Sequence, residues 1–478
     1  MKIALINPPS LFVYGKINTA HNCSFPLGLG YLASYVRQFG HQVAIFDPEA
    51  SRMPLDKMWE QIHRFAPNLV GFTSVTANFM VASSLASEAK RRLGCYVIMG
   101  GPHVTALPET SLNATLGLDA VIRGEGEIPI QVIAEHFDNY GRLDFHQIPG
   151  ATFHEDGHFY RNSRPKSIEN LDDIPFPARD LTDISWYRLH THFQRGRKSA
   201  TILSSRGCPS KCTFCGNIVC GRKFRATSPE YFVNEMEMLL MRYGIRHFHI
   251  VDDCFTADMK RVEYICDLII SKKLPITWFC FGRADSLQNE SIIRKMRRAG
   301  CIYILLGVES GNQHILDIMR KDTILDTIEK CCAILRRVGI KYFNSFIIGN
   351  EGDTEETVWE TINFAKRLRS VMAVFNILIP FPGTSIFNRY YKDLNRPDTD
   401  WSKYCAVGDN IPYEPRHTNL SKKEILQLIA QAYKNYYLDV RQLLRILTFV
   451  KNFGTLFSYM KGAYGLSRQV FSYKKSLS

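Results

Sequence analysis

Short apolar runs rich in β-branched residues punctuate the first 140 residues: KIALIN (2–7), HQVAIFD (41–47), NLVGFTS (68–74), CYVIMGG (95–101) and DAVIRGE (119–125). The intervals between them are long enough for helices. The pattern therefore predicts five parallel strands in an open, doubly wound α/β sheet with helices on both faces. Ligands of such sheets lie beyond the carboxyl ends of the strands. The candidate binding residues are thus Asn7 and Pro8, Thr73, Ser74 and Thr76, the run Gly100, Gly101, Pro102 and His103, and Glu125. Glycines and small hydroxyl residues there let a bulky ligand approach the backbone closely. No G-x-G-x-x-G succeeds the first run, which disfavours NAD or FAD.

A second alternating series begins near Ser199: SATILSS (199–205), RHFHIVDD (246–253), ITWFCFG (276–282), CIYILLGVES (301–310), IKYFNSFIIG (340–349) and AVFNILIPFPG (373–383). Helical stretches separate these runs. In SPEYFVNEMEMLLMRYG (228–244), Ser228 can cap the start, Pro229 can take the first turn and Gly244 can close the end. Six consecutive βα units predict a partial or complete parallel barrel with its chemistry on the carboxyl rim of the strands. Residues 141–198, with scattered charges and the proline-rich LDDIPFPARDL (171–181), read as a linker.

The 478 residues exceed what one core accommodates, about 250–300. The expected division is 1–140, the linker 141–198, a barrel over 199–400 and a helical, basic region over 401–478. A hydrophobic fraction of 45% and a charged fraction of 22% exclude wholesale disorder. The first run stops at Pro8-Pro9 and does not read as a secretory segment. No uncharged apolar stretch reaches the roughly 18–20 residues of a membrane span, so a cytoplasmic protein is expected. Of the formal charge of +13, +9 lies between Arg416 and Ser478. The stretch 433–468 mixes apolar residues at helical spacing with Lys and Arg. It reads either as an amphipathic helix on an anionic membrane surface or as a cap on the open side of the barrel; nucleic acid is the less favoured partner.

Thirteen cysteines in a reducing compartment point to metal or catalysis and away from disulfides. Three of them, Cys208, Cys212 and Cys215, fall within RGCPSKCTFCGN (206–217), on the expected barrel rim after its first strand. Thiolates at two short spacings suit three corners of an iron–sulfur cube. A closed zinc site wants a fourth ligand, and Cys220, five residues on, stands at an unusual spacing for one.

This loop resembles that of the radical S-adenosylmethionine (SAM) superfamily, with Phe214 as the aromatic residue of its C-x3-C-x-aromatic-C signature. The resemblance implies a [4Fe-4S] cluster on Cys208, Cys212 and Cys215 whose fourth iron is chelated by SAM. It further implies SAM contacts from Phe214, from Asp252 and Asp253 after the second strand, from Arg283 after the third, from Glu309 and Ser310 after the fourth and from Gly349 after the fifth. Asn350 and Glu351 depart from the family's usual residues beside that glycine.

A radical SAM barrel preceded by a Rossmann-like domain carrying NPP, GGPHVTALPE and AVIRGEGE resembles the cobalamin-binding subfamily, often called class B. Two cysteines, Cys23 and Cys95, in the first 150 residues are too few for the additional cluster of the tRNA-modifying methylthiotransferases. No D-x-H-x-x-G loop is present, so the resemblance implies a base-off cobalamin without a protein histidine on cobalt. It thereby implies a cobalamin-dependent radical SAM methyltransferase. Such an enzyme would act on an unactivated carbon of a natural product, lipid or tetrapyrrole, and a flavodoxin- or ferredoxin-type protein would supply the electron. Two alternatives stay open: a non-methylating oxidative cyclase or ring-rearranging enzyme with the same cofactors, and a non-catalytic cobalamin sensor or carrier.

Overall fold

The computed structural model describes residues 1–10, 23–187, 198–405 and 411–447. Two parallel sheets organise it. The first contains β1 (Lys2–Ile6), β2 (Gln42–Phe46), β3 (Leu69–Thr73), β4 (Tyr96–Gly100) and β5 (Ala120–Ile122), ordered β2-β1-β3-β4-β5 and parallel throughout. Alternate residues feed two cores. Ile3 and Leu5 pack with the helices Leu27–Arg37 and Glu127–Tyr140, whereas Ala4 and Ile6 pack with Leu55–Phe65 and Phe79–Leu93. Burial on both faces explains why these strands read as continuous apolar runs.

The sheet is larger than the five runs predicted. An antiparallel hairpin, β6 (Ala151–Glu155) and β7 (His158–Arg161), extends it beside β5. It lies inside the segment read as linker, and its signal was the Asp156-Gly157 pair. Both residues have positive φ, at 48° and 80°, as a two-residue hairpin turn of the twist-matched type requires. The described part of that segment after β7, as far as Tyr187, runs between the sheets and touches both. Ala178 N–H donates to Gly30 O (3.0 Å), Ser228 N–H to the Asp172 carboxylate (2.8 Å), and the buried Arg179 donates to Thr201 O (2.6 Å).

The second sheet is built from β8 (Ser199–Ile202), β11 (His247–Ile250), β12 (Thr277–Gly282), β13 (Cys301–Glu309), β14 (Lys341–Ile348) and β15 (Met372–Ile377), parallel and in chain order. A short ribbon, β9 (Ser205–Arg206) with β10 (Arg225–Ala226), brackets the cysteine loop. β8 and β15 do not pair, so the six units form a partial barrel. The first connecting helix, Pro229–Tyr243, starts at Ser228, whose hydroxyl accepts from Tyr231 N–H, and stops at Gly244 with φ 68°.

The open edge at β15 is covered by the helix Lys422–Tyr437. Tyr433 Oη accepts from Phe375 N–H and donates to Phe375 O (both 3.2 Å), and Tyr437 Oη does the same at Ala373 (3.3 and 2.9 Å). Residues four apart on a helix thus serve residues two apart on an edge strand. The described start of the 433–468 stretch is therefore the barrel cap; the rest of it, from 448, lies outside the described residues. Among the described residues no helix is long and apolar enough to cross a membrane.

Candidate active site

Cys208, Cys212 and Cys215 line one cavity of about 400 Å³ at the carboxyl ends of β11 to β14, together with Phe214, Asp253, Arg283 and Glu309. Their loop leaves β9 through Gly207, whose φ of +84° and contact with Lys223 O leave no room for a side chain. It is then tied to other barrel units: Thr213 N–H donates to Met319 O (3.0 Å), and Thr213 O accepts from Ile386 N–H (3.2 Å).

Facing the thiols is a charged group the sequence reading only half identified. Glu309 ends β13 at a bulge with φ +70°, a strained conformation for a residue with a side chain. There its Oε1 accepts from Lys321 Nζ (3.0 Å), and both side chains are buried. Burial works against the Lys321 charge, but Glu309 and Cys212 more than compensate, and its ammonium is held above the ordinary lysine range. Arg283 donates to Asp285 (3.0 Å) and to Lys321 O (2.5 Å). Lys321 had no motif to announce it. Cys254 was also missed; it lines the same cavity, and its thiol holds that of Cys208 below the ordinary cysteine range against the effect of burial.

Two expected contacts, Ser310 and Gly349, are placed differently, and a third, Asp252, lines the cavity with its carboxylate engaged elsewhere. The Asp252 carboxylate is consumed by Ser204 N–H (2.7 Å), Ser204 Oγ (2.6 Å) and Ser205 Oγ (2.5 Å), so it fixes the exit of β8. Ser310 turns away to pair with Thr361 Oγ1 (3.2 Å). Gly349 packs under Ile425, with its carbonyl bonded to His417 Nε2 (2.7 Å), and does not line the cavity.

A second cavity, of about 280 Å³, lies beyond the strand ends of the first sheet. Glycines 28, 71, 100, 101, 124 and 126 line it together with Leu29, Leu32, Ile130 and Ile133 of the two neighbouring helices and with Thr73. Side chains are excluded where the walls approach: a Cβ on Gly101 would lie 2.5 Å from Ser74 O, and one on Gly71 3.1 Å from Leu5. An apolar slot walled by glycine backbone suits a flat, bulky ligand. The barrel closes this cavity with Arg206, Cys220 and Asp253, and Asp253 lines the cysteine cavity too, so the two adjoin there. Burial raises the Asp253 carboxyl, opposed by hydrogen bonds from Gly207 and Asn217. Cys220 is thereby separated from the triplet, its thiol pushed up to about 12 by burial and by Glu125.

Of the residues expected to bind ligand here, Thr73, Gly100, Gly101 and Glu125 line the cavity. The others support its walls. Asn7 donates to Asp47 (2.9 Å), the Pro8 carbonyl accepts from Asn78 (3.5 Å), and Pro102 opens the helix Pro102–Ala106. Ser74 receives His103 N–H on its carbonyl (3.2 Å). His103 is a core residue, stacked on Phe79 (4.2 Å), edge-on to Trp401 (5.2 Å) and 3.3 Å from Thr76 Oγ1; burial lowers its pKa to about 3. Glu125 is a domain contact, receiving Arg206 (3.0 Å) and Arg225 (2.8 Å) on the same oxygen, while Arg206 also reaches Glu127 (2.6 Å). Burial opposes its charge, and the two arginines outweigh it, keeping the carboxyl below the usual range.

Comparison with known proteins agrees with this geometry. Residues 202–365 match the radical SAM superfamily and residues 16–134 match the B12 binding domain. The chain is 32% identical over 448 residues to an uncharacterized methyltransferase of Pyrococcus horikoshii, covering 93% of this chain and 94% of that protein. It is 26% identical over 420 residues to the anaerobic magnesium-protoporphyrin IX monomethyl ester cyclase of Rubrivivax gelatinosus, covering 87% and 74%. In fold it resembles the cobalamin-dependent SAM radical enzyme OxsB, solved with aqua-cobalamin and SAM, with a TM-score of 0.74 and 16% identity over 99% of this chain and 71% of that one. The chain belongs to the cobalamin-binding radical SAM enzymes.

Proposed function

We propose that the chain is a cobalamin-dependent radical SAM methyltransferase acting on an unactivated carbon of a natural product, lipid or tetrapyrrole. The observation that carries this reading is the abutment, at Asp253, of a three-cysteine cavity and a glycine-walled cavity in a chain related over nearly its whole length to a methyltransferase. When bound, a [4Fe-4S] cluster with SAM supplies a hydrogen-abstracting 5′-deoxyadenosyl radical, and cobalamin supplies a methyl group.

Cys208, Cys212 and Cys215 would hold the cluster and leave one iron for SAM. Arg283 offers a guanidinium to the SAM carboxylate, and the Glu309–Lys321 pair offers a fixed donor and acceptor beside it. The apolar cavity suits the nucleotide base of a base-off corrinoid. A His103 packed between Phe79 and Trp401 fits a cobalt without a protein imidazole. The electron would come from a flavodoxin- or ferredoxin-type protein, and the chain would work in the cytoplasm.

Anaerobic turnover with methyl-deuterated SAM tests the reaction. Methyl transfer requires deuterium in the product together with 5′-deoxyadenosine and S-adenosylhomocysteine. Similarity to the R. gelatinosus cyclase favours a second reading, oxidative ring closure. 5′-Deoxyadenosine without S-adenosylhomocysteine or label would select it, and absence of all three would leave a sensor or carrier. Peripheral membrane contact through the basic C-terminal region is supported by the exposure of Leu438, Val440, Leu443 and Leu444 around the helix Val440–Leu447. Binding to anionic vesicles should then be lost when residues 438–478 are removed; equal sedimentation of both forms would refute it.

A further inference from the structure

Beside the glycine-walled cavity lies a smaller one, of about 160 Å³, that shares Gly124, Glu125 and Cys220 with it. Its walls carry Arg123, Arg164 and Lys166. Arg123 directly succeeds β5. Its backbone N–H donates to Gly150 O (3.0 Å) and its guanidinium to Asn162 O. The side chain is 4% exposed, yet its Nε has no hydrogen-bond partner. Arg164 approaches from the segment after β7, bonded to Ile218 O (3.0 Å).

None of these cations, nor the neighbouring Arg161, has a salt-bridge partner among the described residues. The two carboxylates bordering the cavity, Glu125 and Glu127, are already taken by Arg206 and Arg225. Burial and the charges of Arg161 and Arg164 push the Arg123 guanidinium down to about 10, outweighing the opposing pull of Glu109, which forms no salt bridge with it. Buried cations are ordinarily matched by an anion, and a guanidinium with an unused N–H on its face prefers an oxyanion. The volume is several times the roughly 30 Å³ a water occupies, enough for one such group.

We infer that Arg123, Arg164 and Lys166 form a subsite for a phosphate or carboxylate belonging to a molecule that extends from the glycine-walled cavity. The inference rests on that cavity being a ligand site, but not on methyl transfer. Two sources share this chemistry: the nucleotide-loop phosphate of the corrinoid, and an anionic group of the substrate.

The double variant R164A/K166A removes two exposed side chains and leaves Arg123 in place. Binding to the cluster-reconstituted full chain is measured for cobalamin, for cobinamide, which lacks the phosphate and base, and for inorganic phosphate. Losing two charge-assisted contacts should weaken the occupant about ten- to a hundredfold. A loss for cobalamin that spares cobinamide assigns the subsite to the corrinoid phosphate. Unchanged corrinoid affinities with loss of phosphate binding assign it to the substrate. Equal losses for cobalamin and cobinamide, or no loss with any probe, would overturn the inference. These are binding readouts, so a failure of methyl transfer leaves them untouched and the two readings fail separately.

Discussion

Gly307 controls the charge pair that faces the cysteines. A Cβ there would collide with Glu309 Oε1 and lie 3.0 Å from Lys321 Nζ. Breaking a buried charge pair costs about 3–5 kcal/mol, and a loss of even about 1.4 kcal/mol is a tenfold fall in affinity. Gly307→Ala should therefore retain its iron but bind SAM at least about tenfold more weakly in equilibrium dialysis; unaltered SAM affinity would remove the pair from the site. The thiols allow a sharper contrast. Cys212→Ala should lose iron and SAM cleavage, whereas Cys220→Ala, on the far side of Asp253, should keep both. Iron loss in both variants would revive a four-thiol site. The cysteine triplet, Arg283 and Glu309 were legible because a motif or a strand end marks them locally. Lys321 and Cys254 were not, since only tertiary folding brings them to the thiols. Ser310 and His103 point elsewhere for the converse reason, and Asp252, which does line the cavity, has its carboxylate already engaged. Their positions in the chain were right, but side-chain direction, set by Ser204, Thr361 and Phe79, cannot be read from spacing.

At the scale of elements, all eleven apolar runs became strands, because period and length together leave little choice for β-branched segments bounded by turns. The hairpin β6–β7 escaped because its outer strand is largely exposed and gives no apolar signal; only the Asp156-Gly157 turn betrays it. The covering of the β15 edge was legible only coarsely, as a cap on the open side of the barrel, and the tyrosine contacts that make it were not. An unpaired parallel strand exposes backbone N–H and C=O groups that invite further pairing. Here Tyr433 and Tyr437 satisfy them from outside the sheet. Removing both hydroxyls leaves those peptide groups buried without partners, at about 1–3 kcal/mol each. Tyr433→Phe/Tyr437→Phe should thus lower the urea midpoint and raise the tendency to aggregate, with cluster content intact in the folded fraction. A midpoint equal to wild type would mean that the edge is satisfied some other way.

Across the whole molecule, what matters is how firmly the two cavities are held against each other, and the contacts doing this concentrate at Arg206. It stands two residues before Cys208, on the ribbon that brackets the cysteine loop, and it reaches Glu125 in the loop after β5 and Glu127 at the start of the helix that follows. Its guanidinium also lies 5.4 Å over the ring of Tyr31, on a helix that walls the glycine-lined cavity. One side chain therefore ties the cysteine loop to two walls of the neighbouring site. Removing it strands the Glu127 carboxylate in a buried contact and leaves Glu125 with Arg225 alone, at a cost on the order of 3–5 kcal/mol, whereas removing Glu127 leaves Arg206 still paired with Glu125. Arg206→Ala should therefore destabilise more than Glu127→Ala, and the double variant should cost less than the sum of the two. A thermal or urea double-mutant cycle reads the difference directly. If the two effects simply add, Arg206 and Glu127 act independently. The register between the cysteine loop and the glycine-walled cavity must then be set elsewhere, with the Arg179–Glu235 contact of the connecting segment the next to test.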